Sequence, residues 1–372
     1  MSRFDSTIDM AGVKILEFPT FSGSVVNGVA HVFIGSLASA DIGTHVAFAS
    51  KSGAGRLVLY MPPALNSETQ SYPAAEVSSV LSLQGQGFNI EIEVLSVEAN
   101  ALRPVAASSN LEVLIQDESA MAEFLELEGA SEIVELALGC GCEVLFLRNR
   151  MIVTHLGLEV ARSKDVGGRL ELEVGVGRND RMAKALLSES PEPEEKLAET
   201  LDVVNRYRLG FSRFHPLARL SLSRWMRLVI QDDPAIIGMD KLTPLELVRE
   251  GGWPTGGLWS LKRLSGPEDG DAQMYRGYDS SFEEDGFSFA LASDGAGIEY
   301  VVGISSAVDL GAAAKLYEVI RAAESSGRKI GGSILVLEER NKIPSIDRMT
   351  SLASFRIRSV SLLPAWKTIV HG

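Results

Sequence analysis

Apolar and polar residues alternate most regularly between positions 142 and 182, CEVLFLRNRMIVTHLGLEVARSKDVGGRLELEVGVGRNDRM. Strict alternation is the signature of a strand with one buried face, because successive side chains point to opposite sides. Three strands are expected here, over 143–148, 152–162 and 169–176. In the second, Ile152, Thr154, Leu156, Leu158, Val160 and Arg162 fall on one face. In the third, Leu170, Leu172, Val174 and Val176 do the same. Between them, Asp165-Val166-Gly167-Gly168 supplies the positive-φ residues of a hairpin turn. The other face then gathers His155, Glu159, Glu171 and Glu173.

On either side the pattern switches between strand and helix. Toward the N-terminus, strands are expected over 13–18, 56–61 and 90–97, with helices over 24–38 and 74–84. That alternation predicts an open α/β sheet. An Ala-, Ser- and Pro-rich linker is expected over 99–110, followed by a strand over 111–115. A helix over 118–138, weakened at Gly129, leads into the alternating region. Helices over 180–188, 194–207 and 216–231 follow it, with an acidic loop over 189–195. Positions 253–285 lack periodicity and read as a connector. Strands over 287–292, 298–304, 333–337 and 356–362, with helices over 310–323 and 346–353, predict a second parallel unit. Its carboxyl edge would carry Ser305, Ser306, Asp309, Glu338, Glu339 and Arg340, where such sheets bind ligands. The expected fold is α/β, with open α/β sheet units flanking a central three-stranded antiparallel hairpin region with helices. The expected divisions are 1–100, 111–250, 251–285 and 286–372.

A chain of 372 residues, 45% hydrophobic and 23% charged, can bury sizeable cores. Its net charge of −14 excludes a general coat for nucleic acid. Cys140 and Cys142 form neither a disulfide framework nor a CxxC pair, which fits a reducing compartment. The start of the chain lacks a secretory pattern, and the most apolar early stretch, 25–38, is too short for a bilayer. A soluble, cytoplasmic protein with no membrane association is expected. One segment runs against the overall charge: 206–227, RYRLGFSRFHPLARLSLSRWMR, has six arginines, one histidine and no acid. The arginine fork suits phosphate and carboxylate. Arg213, His215, Arg219, Arg224 and Arg227, with Arg178 nearby, are the candidate ligand-binding residues. Arg224 and Arg227 would share the exposed surface of the expected helix. An anionic ligand, nucleic acid or an acidic protein surface is the expected partner. Pairing with acids of the same chain is the alternative fate of these arginines.

Three carboxylates and an imidazole on one hairpin face suit acid/base or metal chemistry, with Mg²⁺ or Mn²⁺ as the fitting ion. Glu159, Glu171, Glu173 and His155 are the candidate catalytic residues, and Glu159 and Glu171 the candidate metal ligands. An ordinary hydrated sheet face gives the same pattern. Helix, three strands and helix is similar to the core order of restriction-endonuclease-like nucleases. That resemblance implies an acid at Glu159, a second at Glu171 and a lysine where this chain has Glu173. Glu173-Val174-Gly175-Val176-Gly177 resembles the first motif of S-adenosylmethionine-dependent methyltransferases, with Asn179 in place of the third glycine. GLEVAR, LEVGVGRNDR and HPLARLSLSRWMR together resemble a bacterial, mainly actinobacterial, protein family of unknown function, which implies no activity. The leading expectation is a binding or regulatory protein that engages a phosphate-bearing ligand through the arginine-rich segment. A metal-dependent phosphodiesterase or nuclease, active or degenerate, is the first alternative. A methyltransferase is the second.

Overall fold

The computed structural model describes residues 15–18, 21–34, 42–61, 86–98, 101–104, 111–147, 150–177, 180–181, 183–184, 192–210, 215–249, 253–254, 287–364 and 366. The fold is mixed α/β, built on three sheets.

The first sheet has the order β1 (Leu16–Glu17), β2 (Phe21–Val26), β3 (Val29–Ile34), β4 (Arg56–Met61), β5 (Glu91–Glu98) and β6 (Ala101–Pro104). The helix expected over 24–38 is instead the β2–β3 hairpin. Asn27 and Gly28, at φ 51° and 75°, make its two-residue turn, and that turn geometry matches the twist of paired strands. Ala30, Val32 and Ile34 are then buried at every second position, so the operative period is two, not 3.6. Strands β3, β4 and β5 are parallel, with α1 (Ile42–Lys51) crossing between the first two. Part of the expected linker at 99–110 is strand β6, paired to β5. The helix expected over 74–84 lies outside the described residues.

The C-terminal sheet runs β13 (Trp253–Pro254), β12 (Lys241–Arg249), β14 (Phe287–Ser293), β15 (Glu299–Ser305), β16 (Ile330–Glu338) and β17 (Ile357–Leu362). Strands β15, β16 and β17 are parallel, as expected. Helices α6 (Ala312–Ser325) and α7 (Pro344–Ser351) connect them. β7 (Leu111–Ile115) joins this sheet by pairing with β12. The expected segment 111–250 therefore gives both its first and its last strand to the C-terminal sheet. β13 likewise makes two residues of the expected connector part of it.

The central sheet is an antiparallel meander of four strands rather than three: β8 (Glu143–Leu147), β9 (Arg150–His155), β10 (Leu158–Val166) and β11 (Arg169–Val174). The strand expected over 152–162 is split by a turn at Leu156 and Gly157, at φ 49° and 78°. The Gly167-Gly168 turn forms as expected, with the Gly168 amide donating to Asp165 Oδ1 at 2.8 Å. The helix expected over 118–138 is two helices, α2 (Glu118–Leu125) and α3 (Ala130–Gly139), parted at Gly129. α4 (Pro193–Arg208) matches the helix expected over 194–207. The helix expected over 216–231 is a 3₁₀ turn at Pro216–Ala218 and then α5 (Leu222–Asp232), separated by Ser221 at φ 48°.

Four layers of packing order these parts. Ala313 and Ala314 of α6 and Met349 of α7 share one core with the first sheet and α1. The same α6 covers one face of the C-terminal sheet through Leu316, Val319 and Ile320. The other face is covered by α5, whose Trp225, Met226, Val229 and Ile230 meet Ala290, Val302, Ile334 and Val336. The central sheet packs one face on Ala137 of α3 and on Leu197, Leu201 and Val204 of α4.

Candidate functional site

The other face of the central sheet carries the charges, and a bulge decides which ones. Glu159 lies opposite Thr154, and Ala161 lies opposite Val153, so the ladder skips one residue at Val160. A bulge of this kind shifts every following side chain to the other face. It places Glu159 on the same face as Arg162. Across the next pairing, Arg162 faces Glu173 and Lys164 faces Glu171. Across the preceding one, Thr154 faces Glu143. His155 pairs with Leu158 and points the opposite way, to Asn205 of α4, with 2.7 Å between Nε2 and Oδ1. The expected four-residue constellation is therefore three acids on one face and a histidine on the other.

Two of these acids are engaged by arginines. Glu159 is 5% exposed and its Oε1 accepts from Arg181 Nη1 at 2.7 Å. Arg181 Nε stands 3.7 Å from Glu173 Oε2, which also accepts from Arg162 Nε at 3.2 Å. Glu171 is exposed, two strand positions and roughly 7 Å along the strand from Glu173. Among the described residues, no three of His, Cys, Asp or Glu gather where they could hold one metal ion.

The glycine motif has a packing role. Gly175 has φ 143°, and a Cβ there would stand 2.7 Å from the backbone nitrogen of Arg181. Its missing side chain lets the chain double back and lay Arg181 over β10. The Val176 amide, one of the donors a phosphate would need, goes to Asp180 Oδ2 at 2.8 Å. The strand before the motif is the end strand of an antiparallel meander, whereas the methyltransferase likeness implies a parallel strand at that position.

The basic segment divides into buried and exposed parts. Arg224 and Arg227 are 4% and 0% exposed, so the expected surface pair on the helix is a core pair. Arg224 grips Glu246 of β12 with both ends of its fork, at 2.6 and 2.9 Å. Arg227 reaches the same carboxylate at 3.4 Å and Glu143 of β8 at 2.5 Å. Glu143 in turn accepts from the Thr154 hydroxyl at 2.9 Å. The arginines thus bridge the central and C-terminal sheets, which is the pairing within the chain that the sequence left as an alternative. Arg162, Arg181, Arg224 and Arg227 face Glu143, Glu159, Glu173 and Glu246, so the layer is formally neutral. Burial of charge is tolerated when partners and hydrogen bonds replace water.

Arg208 is buried with no carboxylate partner among the described residues. Its guanidinium donates to the carbonyls of Leu156, Leu217 and Leu220 and lies 5.2 Å from the Trp225 ring centre. Burial pulls its pKa down to about 9. It pins the β9–β10 turn to the start of α5. Nearer the surface, Tyr207 and His215 stack at 3.6 Å and 9°. His215 Nδ1 accepts from the Leu217 amide at 3.3 Å. Arg206, with 65% of its side chain exposed, pairs with Asp202, and Arg219 is exposed. Arg178 and Arg213 lie outside the described residues.

The carboxyl edge of the C-terminal sheet is internally bonded. Ser305 and Glu338 are buried at the ends of β15 and β16. Glu338 accepts from Trp366 Nε1 at 3.1 Å and from Arg340. Ser306 meets Ser223 of α5 through its amide and hydroxyl, and its carbonyl takes Asn341 Nδ2 at 2.7 Å. Asp309 pairs with Lys315 and accepts from the Gly311 amide at 2.8 Å. Glu339 is exposed.

Glu143, Glu246, Arg162 and Arg181 belong to the charged layer and were not singled out by sequence. For the two glutamates the one signal was a charge between apolar neighbours in a strand, as in Leu245-Glu246-Leu247, and Arg162 and Arg181 carried none. No protein-family model, no curated protein and no solved structure matches the chain. No helix among the described residues is long and apolar enough to cross a membrane.

Proposed function

We propose that this is a binding protein that engages an anionic, phosphate-bearing partner through the outer part of its basic segment, with Arg206, His215 and Arg219 making the contacts. The observation that carries this reading is the division of labour within 206–227. Arg224 and Arg227 are buried against Glu246 and Glu143, while Arg206, next to Tyr207 in the chain, and Arg219, four residues after His215, are exposed, and Tyr207 and His215 stack on each other. An exposed guanidinium beside an aromatic face suits phosphate and base together. The neutral charged layer favours a structural clamp over a hydrolytic centre, since its arginines already meet the carboxylates a metal would need.

The test is binding of a fluorescent single-stranded oligonucleotide and of heparin across a salt series. Each phosphate contact lowers the slope of log K against log salt by about 0.7 for a single strand. The Arg206→Ala/Arg219→Ala variant should therefore bind more weakly and show a slope shallower by about 1.4. Absence of binding by the wild type at low salt overturns the reading. So does a double variant that binds as the wild type does.

A further inference from the structure

The N-terminal and C-terminal sheets repeat one unit. Five strands match in order: β1-β2-β3-β4-β5 and β12-β14-β15-β16-β17. In each set the first two pairings are antiparallel. In each the last two are parallel. One helix follows the third strand of each set, α1 in one and α6 in the other.

The two helices begin and end alike. Ile42-Gly43 opens α1, and Leu310-Gly311 stands immediately before α6. Ser52-Gly53 closes the first and Ser326-Gly327 the second, with the glycines at φ 70° and 89°. Three hydrogen bonds recur there. The serine amides donate four residues back, to Phe48 and Ala322. The glycine amides donate to Ser50 and Glu324, and the next amides to Ala49 and Ala323. This is one helix-ending motif used twice.

Equivalent parts of the two units also touch each other. A Cβ on Gly43 would stand 2.3 Å from the Leu310 carbonyl carbon and 2.4 Å from the Gly311 nitrogen. Only a residue without a side chain allows the two helix starts so close an approach. Phe88, three residues before β5, pairs antiparallel with Ala353, four residues before β17. The Asn89 amide donates to the Leu352 carbonyl and the Ser354 amide to the Gly87 carbonyl, both at 2.8 Å. Equivalent segments that meet antiparallel, each giving what it receives, are the mark of a two-fold axis.

We propose that the two α/β units are copies of one unit paired around an internal two-fold axis, and that their helical faces form a docking surface whose partner is a second copy of the same unit, carried in the same chain. The axis passes near Gly43–Gly311 and Phe88–Ala353. Contacts away from the axis must then occur in pairs. Gly87 lies against Tyr317 of α6, with 2.9 Å between an added Cβ and the Tyr317 Cβ. The symmetry requires a matching contact of Leu352 with Ala49 of α1, and both residues lie in the core that joins the units. This inference is independent of the anion-binding reading.

The test is cysteine cross-linking in the full chain, with Cys140 and Cys142 replaced by alanine. Phe88→Cys/Ala353→Cys, which replaces a closely spaced antiparallel pair, should oxidise to a disulfide. Gly87→Cys/Tyr317→Cys and Ala49→Cys/Leu352→Cys should also oxidise, at similar rates, giving faster-migrating species on non-reducing gels. Cross-linking of one off-axis pair without the other, in variants with the wild-type circular dichroism, overturns the symmetry. Hydrogen exchange of the unmodified protein gives a second readout. The Asn89 and Ser354 amides should be protected to the same degree, and exchange of one at the rate of an open loop refutes the pairing.

Discussion

Replacing Glu246 by Gln probes the charged layer at its centre. Glu246 is 6% exposed and faces two guanidinium groups, Arg224 at 2.6 and 2.9 Å and Arg227 at 3.4 Å. Glutamine keeps the shape and one acceptor oxygen, but its amide turns two further donors toward those donors. At an effective dielectric of about 20, one pair of unit charges about 4 Å apart is worth about 4 kcal/mol, before the cost of desolvation. Removing one partner of a buried pair costs about 3–5 kcal/mol, because the other charge stays behind. Arg227 retains Glu143, so Arg224 is the group left stranded, and the low end, about 3 kcal/mol, is expected. That is a loss of more than about a hundredfold in the folded-to-unfolded ratio. Equilibrium urea unfolding read by tryptophan emission measures it, since Trp225 on α5 packs edge-on against Trp366 at 5.3 Å. In the Arg224→Met background the same change removes a carboxylate that has already lost its main partner, so a coupling of about 1–3 kcal/mol should appear. A loss below about 0.5 kcal/mol for Glu246→Gln, the scale of an ordinary surface change, refutes the clamp. So does a loss that is unchanged in the Arg224→Met background.

Two smaller effects follow from individual groups. Burial pushes the Cys142 thiol up to about 12, while Cys140 is only half-buried. A thiol reagent at pH 8 should therefore modify Cys140 in the folded protein and both cysteines after unfolding, and prompt labelling of Cys142 in the folded state contradicts this. Asp117 caps α2, and the Ser119 hydroxyl, with the Ser119 and Ala120 amides, holds its carboxyl below the ordinary value of 3.8 against a weaker opposing push from burial. Asp117→Ala should lower stability by about 1 kcal/mol, the usual value of such a cap. Because the folded-state pKa is depressed, the charge-linked part of that difference is present above the unfolded value near 3.8 and is lost as pH falls through the folded value. A difference between the wild type and the variant that does not shrink below that range counts against the assignment.

The parallel C-terminal unit was legible in the sequence because its strands are apolar runs bounded by turns. Its strands and helices fall within a few residues of the expected ranges. The N-terminal hairpin was misread because Val25, Val29, Val32 and Phe33 fit a helical spacing as well as a strand. Asn27-Gly28 was the cue that should have decided it. β12 was missed because Pro244 interrupts a short run of mixed polar and apolar residues, yet its carbonyl still accepts from the Gln116 amide. At the candidate site, alternation found Glu159, Glu171 and Glu173 but misassigned His155. The Leu156-Gly157 turn brings the chain back so that His155 pairs with Leu158 and faces away from Glu159, and within 152–162 that one glycine is its only mark in residue type. The arginines were located by composition. Their burial depended on acids at positions 143 and 246, which lie far away in the chain, and no local pattern links those positions.

The pairing of β7 with β12 has a mechanical consequence. Ile115 and Leu245 are register neighbours, so the chain leaves the C-terminal sheet at one of them and returns beside it. Between them, α5 comes back to cover one face of that sheet, so the central meander is held at this two-stranded stem and again through α5. A tilt of the central meander therefore reaches the C-terminal sheet through the stem, through the Leu156–Gly157 turn packed on α5, and through the Arg227 bridge from Glu143 to Glu246. The stem and the bridge both end on β12, so that strand would feel whatever the central sheet binds.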